Sequence, residues 1–456
     1  MDSEFEFVVI GAGPAGEAAA FLARSRGASV AVVDRELFGG SCPFWACMPS
    51  KSLLHAAAVH AAGGDYPWQR ASARRDYMIN REGIDFPSDA SHVSALEAAG
   101  AVPIRGVGRV SGPGTVIVEE PAGGAPRTLH ARSILVAVGT QPRVPEIEGL
   151  DAIKAWTNRD ATSARELPAS LVVLGAGPTG VELAQVYARY GVRTTVIASR
   201  GGVNPTDHPR NSAAVGAGLR RDGVDVRTDV RAVRIRARAG KAGAHVVELS
   251  DGSRVEGHVI LLAAGRTAPR DGLGLETVGA VVRAGRVVVD DRLLAAPDVY
   301  VAGDPAGPEM HTHLAHYQGE LAVRVALGDD VRADYRAIPR ATYTDPETAG
   351  VGLSLDQATA AGYDAFEEVA DLATSAKGYV AEASGHVTIV VDRRSAILVG
   401  AFMAGPAASE VIHEAVLAIK ARVPMATLAD TIHAFPTSAR VMGGLFTTAA
   451  RRLAVA

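Results

Sequence analysis

The sequence predicts an α/β chain with two copies of one strand–turn–helix–strand unit and a C-terminal α+β region, and three observations carry that prediction. A short apolar run, Phe5 to Ile10, leads into Gly11-Ala-Gly-Pro-Ala-Gly16, an Ala-rich helical stretch and a second apolar run, Ser29 to Val33. The same layout returns at Leu171 to Leu174, Gly175-Ala-Gly-Pro-Thr-Gly180, a helix through Tyr190 and Thr194 to Ala198. From Pro339 the pattern changes to strands over 387–403 and then helices over 408–421, 426–432 and 438–452. Between the two units, residues 62–90, rich in Gly, Asp and Arg, read as a mobile connection, followed by short strands near 104–138. Residues 225–262 read as a β-meander closing on Val259-Ile-Leu-Leu-Ala263, and a helix runs from after Asp304 to about Gly328.

Composition narrows the function. With 46 Lys+Arg against 50 Asp+Glu, the formal charge of −4 gives no long-range reason to bind nucleic acid or an anionic membrane. Two cysteines in 456 residues exclude a disulfide-stapled scaffold and a four-thiolate zinc site, but leave room for one catalytic pair. The apolar run from Phe7 to Ala23 resembles a signal segment, yet acidic residues precede it and Glu17 interrupts it. No apolar stretch reaches the roughly 20 residues that span a bilayer. The expectation is a soluble, cytoplasmic protein, where a purely structural disulfide is unusual.

Each glycine run follows an expected strand and opens an expected helix, the context of a dinucleotide-binding fingerprint. Gly11, Gly13 and Gly16, and likewise Gly175, Gly177 and Gly180, let the backbone approach a pyrophosphate at a helix N-terminus. The plain alternative is a tight strand–helix turn without ligand. The second strand of the first copy ends in Asp34, an acceptor suited to a ribose diol, whereas the second copy has Ala198 followed by Ser199 and Arg200. Without a carboxylate to repel a 2′-phosphate, and with a guanidinium near, NADPH is favoured and NADH remains possible. Arg200 is equally readable as a solvated surface charge.

Both cysteines lie in Gly39-Gly-Ser41-Cys42-Pro-Phe-Trp-Ala-Cys47-Met-Pro-Ser-Lys51. On a regular helix, positions five apart sit about 140° apart, so a bond between them needs a distorted first turn. Pro43 suits such a start, and thiolates at a helix N-terminus are better nucleophiles. Two inert thiols are the alternative.

At this point the chain resembles the class I pyridine nucleotide–disulfide oxidoreductases, which include glutathione reductase, dihydrolipoamide dehydrogenase and mercuric reductase. The resemblance runs through both fingerprints, the dithiol segment, Val136-Ala-Val-Gly139-Thr-Gln-Pro142, Ala264-Gly265-Arg266-Thr, Val301-Ala-Gly303-Asp304 and Tyr343-Thr-Asp-Pro-Glu-Thr-Ala-Gly-Val-Gly352. It implies an FAD domain from 1–148 and 266–336, an NAD(P)H domain at 149–265 and a homodimerising domain at 337–456. It places FAD on Gly11, Gly13, Gly16, Asp34, Ser41, Gly108, Gly139, Gly303, Asp304 and His313. It places the pyridine nucleotide on the second fingerprint with Arg200, Gly265 and Arg266. Lys51 would sit near the flavin, paired with Glu182; solvated surface roles are their plain alternative. Hydride would pass to flavin and on to a Cys42–Cys47 disulfide, with Cys47 beside the flavin and Cys42 meeting a small thiol, disulfide or thioether.

The family's disulfide reductases carry a His–Glu dyad near the C-terminus, His before a proline and Glu four positions after that proline. Here Thr431-Ile-His-Ala-Phe435-Pro436-Thr-Ser-Ala-Arg440 puts Phe435 and Arg440 in those places, and His433 lies two residues early, read as structural. A phenyl ring transfers no proton and a guanidinium stays protonated, so turnover of the glutathione or lipoamide type is in doubt. Reduction of a non-standard substrate through the dithiol is the leading expectation, and a thioether-cleaving oxidoreductase/carboxylase, a quinone or metal reductase and a catalytically inactive flavin-binding dimer are its alternatives. Mercuric reductase is similar in that Phe but has C-terminal cysteines that this chain lacks. Similarity to 2-ketopropyl-coenzyme M oxidoreductase/carboxylase is partial, because Lys51 is present and Arg440 stands where that protein has His. Arg440 is read either as a binder of an anionic substrate tail or as a partner of an interface carboxylate. Phe44 and Trp45 either narrow access to the dithiol or pack. The histidines of Met310-His311-Thr-His313-Leu-Ala-His316 suggest packing over a flavin rather than a metal site, and no metal is expected.

Overall fold

The computed structural model describes residues 3–83, 86–120, 123–238, 243–269 and 272–455. Its chain forms two units, one from 1–52, 72–143 and 265–333, the other from 53–71, 144–264 and 334–456. The first unit is built on parallel strands in the order Val299–Val301, Arg127–Val136, Ser3–Ile10, Val30–Asp34 and Val102–Arg105. These central strands are nearly continuous Val, Ile and Leu because both faces are covered. Val9, Val32 and Leu135 pack on one side with the helix Pro14–Ser25, and Val8, Val33 and Val136 on the other with Val110 and Val116. The apolar run that resembles a signal segment is thus split into a strand and a helix around the glycine turn.

The second unit holds a four-stranded parallel sheet in the order Asp225–Thr228, Arg193–Ala198, Ser170–Leu174 and Val259–Leu262. The expected meander over 225–262 is therefore narrower. Its first and last strands belong to this parallel sheet, and only Ala232–Arg236, His245–Leu249 and Arg254–Gly257 form an antiparallel ladder. The C-terminal region is a five-stranded antiparallel sheet with the helices Ala408–Ala421 and Ser438–Val455 on its apolar face. The strands expected over 387–403 are a hairpin of His386–Asp392 and Ile397–Ala404. The fold is thus α/β with two Rossmann-like domains and a C-terminal α+β domain.

The described part of the stretch 62–90 is not a loose connection. It contains the helix Trp68–Met78, whose buried residues Trp68, Ala71 and Arg75, with Ile79 just beyond, recur at helical spacing. The fully buried Arg75 donates through Nε and Nη2 to Asp76, at 3.0 and 2.9 Å. A composition rich in charge hid the periodicity because one core position is an ion-paired arginine. No helix among the described residues is long and apolar enough to cross a membrane.

Candidate active site

The dithiol loop is shaped by two glycines and a break. Gly39 and Gly40 have φ of 97° and 70°, and Gly40 stands so close to the first fingerprint that a Cβ on it would lie 2.8 Å from the Gly13 Cα. A short helix, Ser41–Trp45, begins there with Pro43 in its first turn, where a missing N–H removes no helical bond. It stops at Ala46 (φ −129°, ψ −96°), and a second helix, Cys47–Ala61, starts afresh. This break is the distortion that lets residues five apart meet: Cys42 and Cys47 are disulfide-bonded, with Cα atoms 4.9 Å apart. Cys47 opens a fifteen-residue helix, so the unpaired N–H groups of that first turn favour its thiolate once the bond is reduced. Its Sγ lies 3.3 Å from the Thr312 hydroxyl. Lys51 follows one turn later on the same face of the helix.

Phe44 and Trp45 are packing residues. Both are buried in a cluster with Ile79, and Phe44 meets the His92 ring edge-on at 5.5 Å.

Both fingerprints have one geometry. Cβ atoms built on Gly11 or Gly175 would collide with the carbonyls of Ala137 and Ala263, and on Gly16 or Gly180 with the carbonyls of Gly11 and Gly175. These glycines let chain segments close on one another. The middle glycines differ: Gly177 faces nothing within 4 Å, and Gly13 only the Gly40 Cα at 4.0 Å. A cradle open at its middle glycine and set at a helix N-terminus fits a dinucleotide pyrophosphate in both copies. Asp34 accepts from the N–H of Ala12 at 2.7 Å and of Glu36 at 2.8 Å. Burial still raises its carboxyl above the usual range against these bonds. Ala198, at the matching place, is buried, while Ser199 and Arg200 are exposed.

Asp304 sits at the end of a relay. Arg266 donates to Thr140 through Nε to the hydroxyl (2.7 Å) and through Nη2 to the carbonyl (2.5 Å), and the Thr140 hydroxyl donates to Asp304 at 2.5 Å. Gly139 and Gly265 both have left-handed φ, at 63° and 101°, and antiparallel pairing of Pro142 with Arg266 holds these segments together. Gly303 donates its N–H to Gln318 at 2.8 Å, and Gly108 packs against Ile10 and Val33. Ser41 is the first residue of the short helix. His313 stacks on His311 at 5.0 Å, and Glu309 bonds the His311 ring at 2.9 Å. Among the described residues no three His, Cys, Asp or Glu side chains are grouped to hold a metal ion.

In the second unit, buried Glu182 accepts from the Tyr343 N–H at 3.0 Å. Phe435 is three-quarters exposed, joined to Pro436 by a cis peptide, and Arg440 is exposed in the first turn of the last helix. His433 is engaged at both ring nitrogens, Nδ1 with the Thr431 carbonyl (2.9 Å) and Nε2 with Glu414 (2.8 Å).

Sequence reasoning passed over Thr140, Thr312, Glu17 and His92. Thr140 and Thr312 lie inside quoted motifs, so their hydroxyls were a readable signal. Glu17 showed itself only as an acid breaking an apolar run. Nothing in the sequence pairs it with His92.

A nucleotide cradle beside a redox-active cystine defines a flavin-dependent disulfide oxidoreductase. Residues 5–319 match the model for pyridine nucleotide-disulphide oxidoreductases and residues 338–445 the model for their dimerisation domain, and the chain belongs to that family. It is 32% identical over 449 residues to dihydrolipoyl dehydrogenase from Thermus scotoductus, covering 95% of each chain. It is 33% identical over 460 residues to mercuric reductase from Streptomyces lividans, covering 96% of this chain and 94% of that one. The structure of LpdA from Mycobacterium tuberculosis superposes with a TM-score of 0.87 at 28% identity, over 99% of both chains. The family consists of FAD enzymes that use NAD(P)H and act on sulfur groups.

Proposed function

We propose that this protein is a homodimeric reductase that passes electrons from NADPH to the Cys42–Cys47 disulfide and then to a non-standard small disulfide or thioether substrate. The observation that carries the reading is the cystine itself, held across a broken helix beside the first fingerprint. Bound FAD supplies the two-electron relay between the nucleotide and the cystine. Residues 1–148 with 266–336 hold it through Gly11, Gly13, Gly16, Asp34 and Asp304, and residues 149–265 hold the nucleotide. Residues 337–456 form the dimer. Cys47, at its helix N-terminus, keeps the thiolate, and Cys42 exchanges with substrate. The exposed Arg200 and the absence of a carboxylate at Ala198 support NADPH.

Phe435 and Arg440 hold the register of the family's proton-transferring pair and cannot perform that task. Turnover of glutathione and lipoamide disulfides therefore cannot draw its proton from that pair. Anaerobic titration with NADPH tests the dithiol reading. A long-wavelength thiolate–flavin band should appear and be absent in Cys47→Ser; a wild-type protein without that band removes the mechanism.

A further inference from the structure

The substrate thiol still needs a proton, and the first unit holds a candidate source. A cleft of about 250 Å³ is lined by Glu17, Gly39, Cys42, Met48, His92 and His316 among others. Within it the His92 Nδ1 lies 2.7 Å from Glu17 Oε1, with the two side chains 27% and 16% exposed. Glu17 leaves the first turn of the fingerprint helix, and His92 comes from the helix Ala90–Ala98. Gly39 makes room for the ring: a Cβ there would lie 2.6 Å from His92 Cε1. The edge of Phe44 fixes its other contact.

We propose that His92 is the general acid–base for Cys42, with Glu17 as the positioning residue that orients and charges it. This inference rests on the dithiol reading above and supplies the proton that Phe435 cannot. Glu17 takes the Nδ1 proton as acceptor, so Nε2 is the nitrogen that exchanges. His311 and His433 are also bonded to carboxylates, but neither lines this cleft, and the carboxylate and carbonyl contacts of His433 occupy both its ring nitrogens. The charged neighbours of His92 agree with the role. Glu17, first by its hydrogen bond and then by its charge, holds the imidazole above its ordinary range, and Asp89 adds to this against burial. Asp89 is itself held by Arg105 at 2.5 Å, and His316 faces the same cleft.

In the reducing direction the Cys42 thiolate attacks one sulfur of R–S–S–R′. The substrate S–S bond breaks, a Cys42–S–R mixed disulfide forms, and R′–S⁻ leaves with the bonding pair and takes the Nε2 proton of His92. Cys47 then attacks Cys42, restoring the protein disulfide and expelling R–S⁻, which takes the second proton from His92 after it is recharged from water. The electron pair comes from the dithiol, which the reduced pyridine nucleotide refills.

The test varies the leaving group, since a poor thiolate leaving group needs an acid and a good one does not. The reduced holoenzyme is mixed in stopped flow with bis(2-hydroxyethyl) disulfide or with 5,5′-dithiobis(2-nitrobenzoate). In His92→Asn the alkyl rate should fall about 100-fold or more, and that loss should exceed the aromatic one at least tenfold. Added imidazole should restore part of the alkyl rate. Glu17→Gln keeps the ring and should show the same contrast more weakly, so it decides the matter if His92→Asn loses flavin. Equal losses with both disulfides, or an unchanged alkyl rate, overturn the proposal. The thiolate–flavin band separates the two readings: with no band in the wild type the dithiol mechanism fails and this inference with it. With the band present and no leaving-group contrast, only the acid–base pair fails.

Discussion

Replacing Thr140 by Val tests how Asp304 is held. The side chains are nearly the same size, but Val has no hydroxyl to accept from Arg266 at 2.7 Å or to donate to Asp304 at 2.5 Å. A hydrogen bond to a charged group contributes about 1.5–3 kcal/mol, and partial exposure of all three side chains brings the loss to about 1–2 kcal/mol. The Arg266 bond to the Thr140 carbonyl persists, so the segment stays folded. If Asp304 must be pre-aimed to bind FAD, its dissociation constant should rise about tenfold, which corresponds to roughly 1.4 kcal/mol. Fluorescence titration of the flavin-free protein with FAD measures it, with Thr140→Ser as the control that restores the hydroxyl. An FAD affinity within twofold of wild type in Thr140→Val would show that the relay does not position Asp304.

Arg200→Leu should raise the KM for NADPH about tenfold and leave that for NADH unchanged, read in steady-state kinetics with each nucleotide. Gly443→Ala should destabilise the C-terminal domain by about 1–3 kcal/mol in denaturant unfolding, because the new methyl would be driven into the buried His433 ring. His386 is buried and bonded to Asn211 and Thr388, and burial holds it down at about 3. Its folded pKa lies below its unfolded one, so the unfolded chain binds the extra proton. This contribution to stability is complete above about pH 6.5 and is lost progressively as the pH falls toward about 3. His386→Gln should flatten the acid side of the melting-temperature profile; an unchanged profile would remove this assignment.

Much of the fold was legible because its signals are local. A strand, a glycine turn and a helix occupy consecutive residues, and the same order twice identified the dinucleotide domains. The strand of Val30–Asp34 ends at a residue whose type alone separates the two copies. Periodicity failed where a core position is charged, as at Arg75, and where consecutive strands belong to different sheets, as over 225–262. The dithiol was legible as a spacing, but Phe44 and Trp45 resolved as packing only once Ile79, far along the chain, was seen against them.

By itself, then, the sequence determined the glycine turns, the cysteine spacing and the residues standing at Phe435 and Arg440, all of which are properties of short stretches of chain. Tertiary structure alone decided that Ala46 breaks the helix between the cysteines, that Thr140 links Arg266 to Asp304, and that His92 meets Glu17 across 75 positions. Hydrogen bonds and packing act over a few ångströms whatever the separation in sequence, so a pair made by two distant helices leaves no local pattern to read.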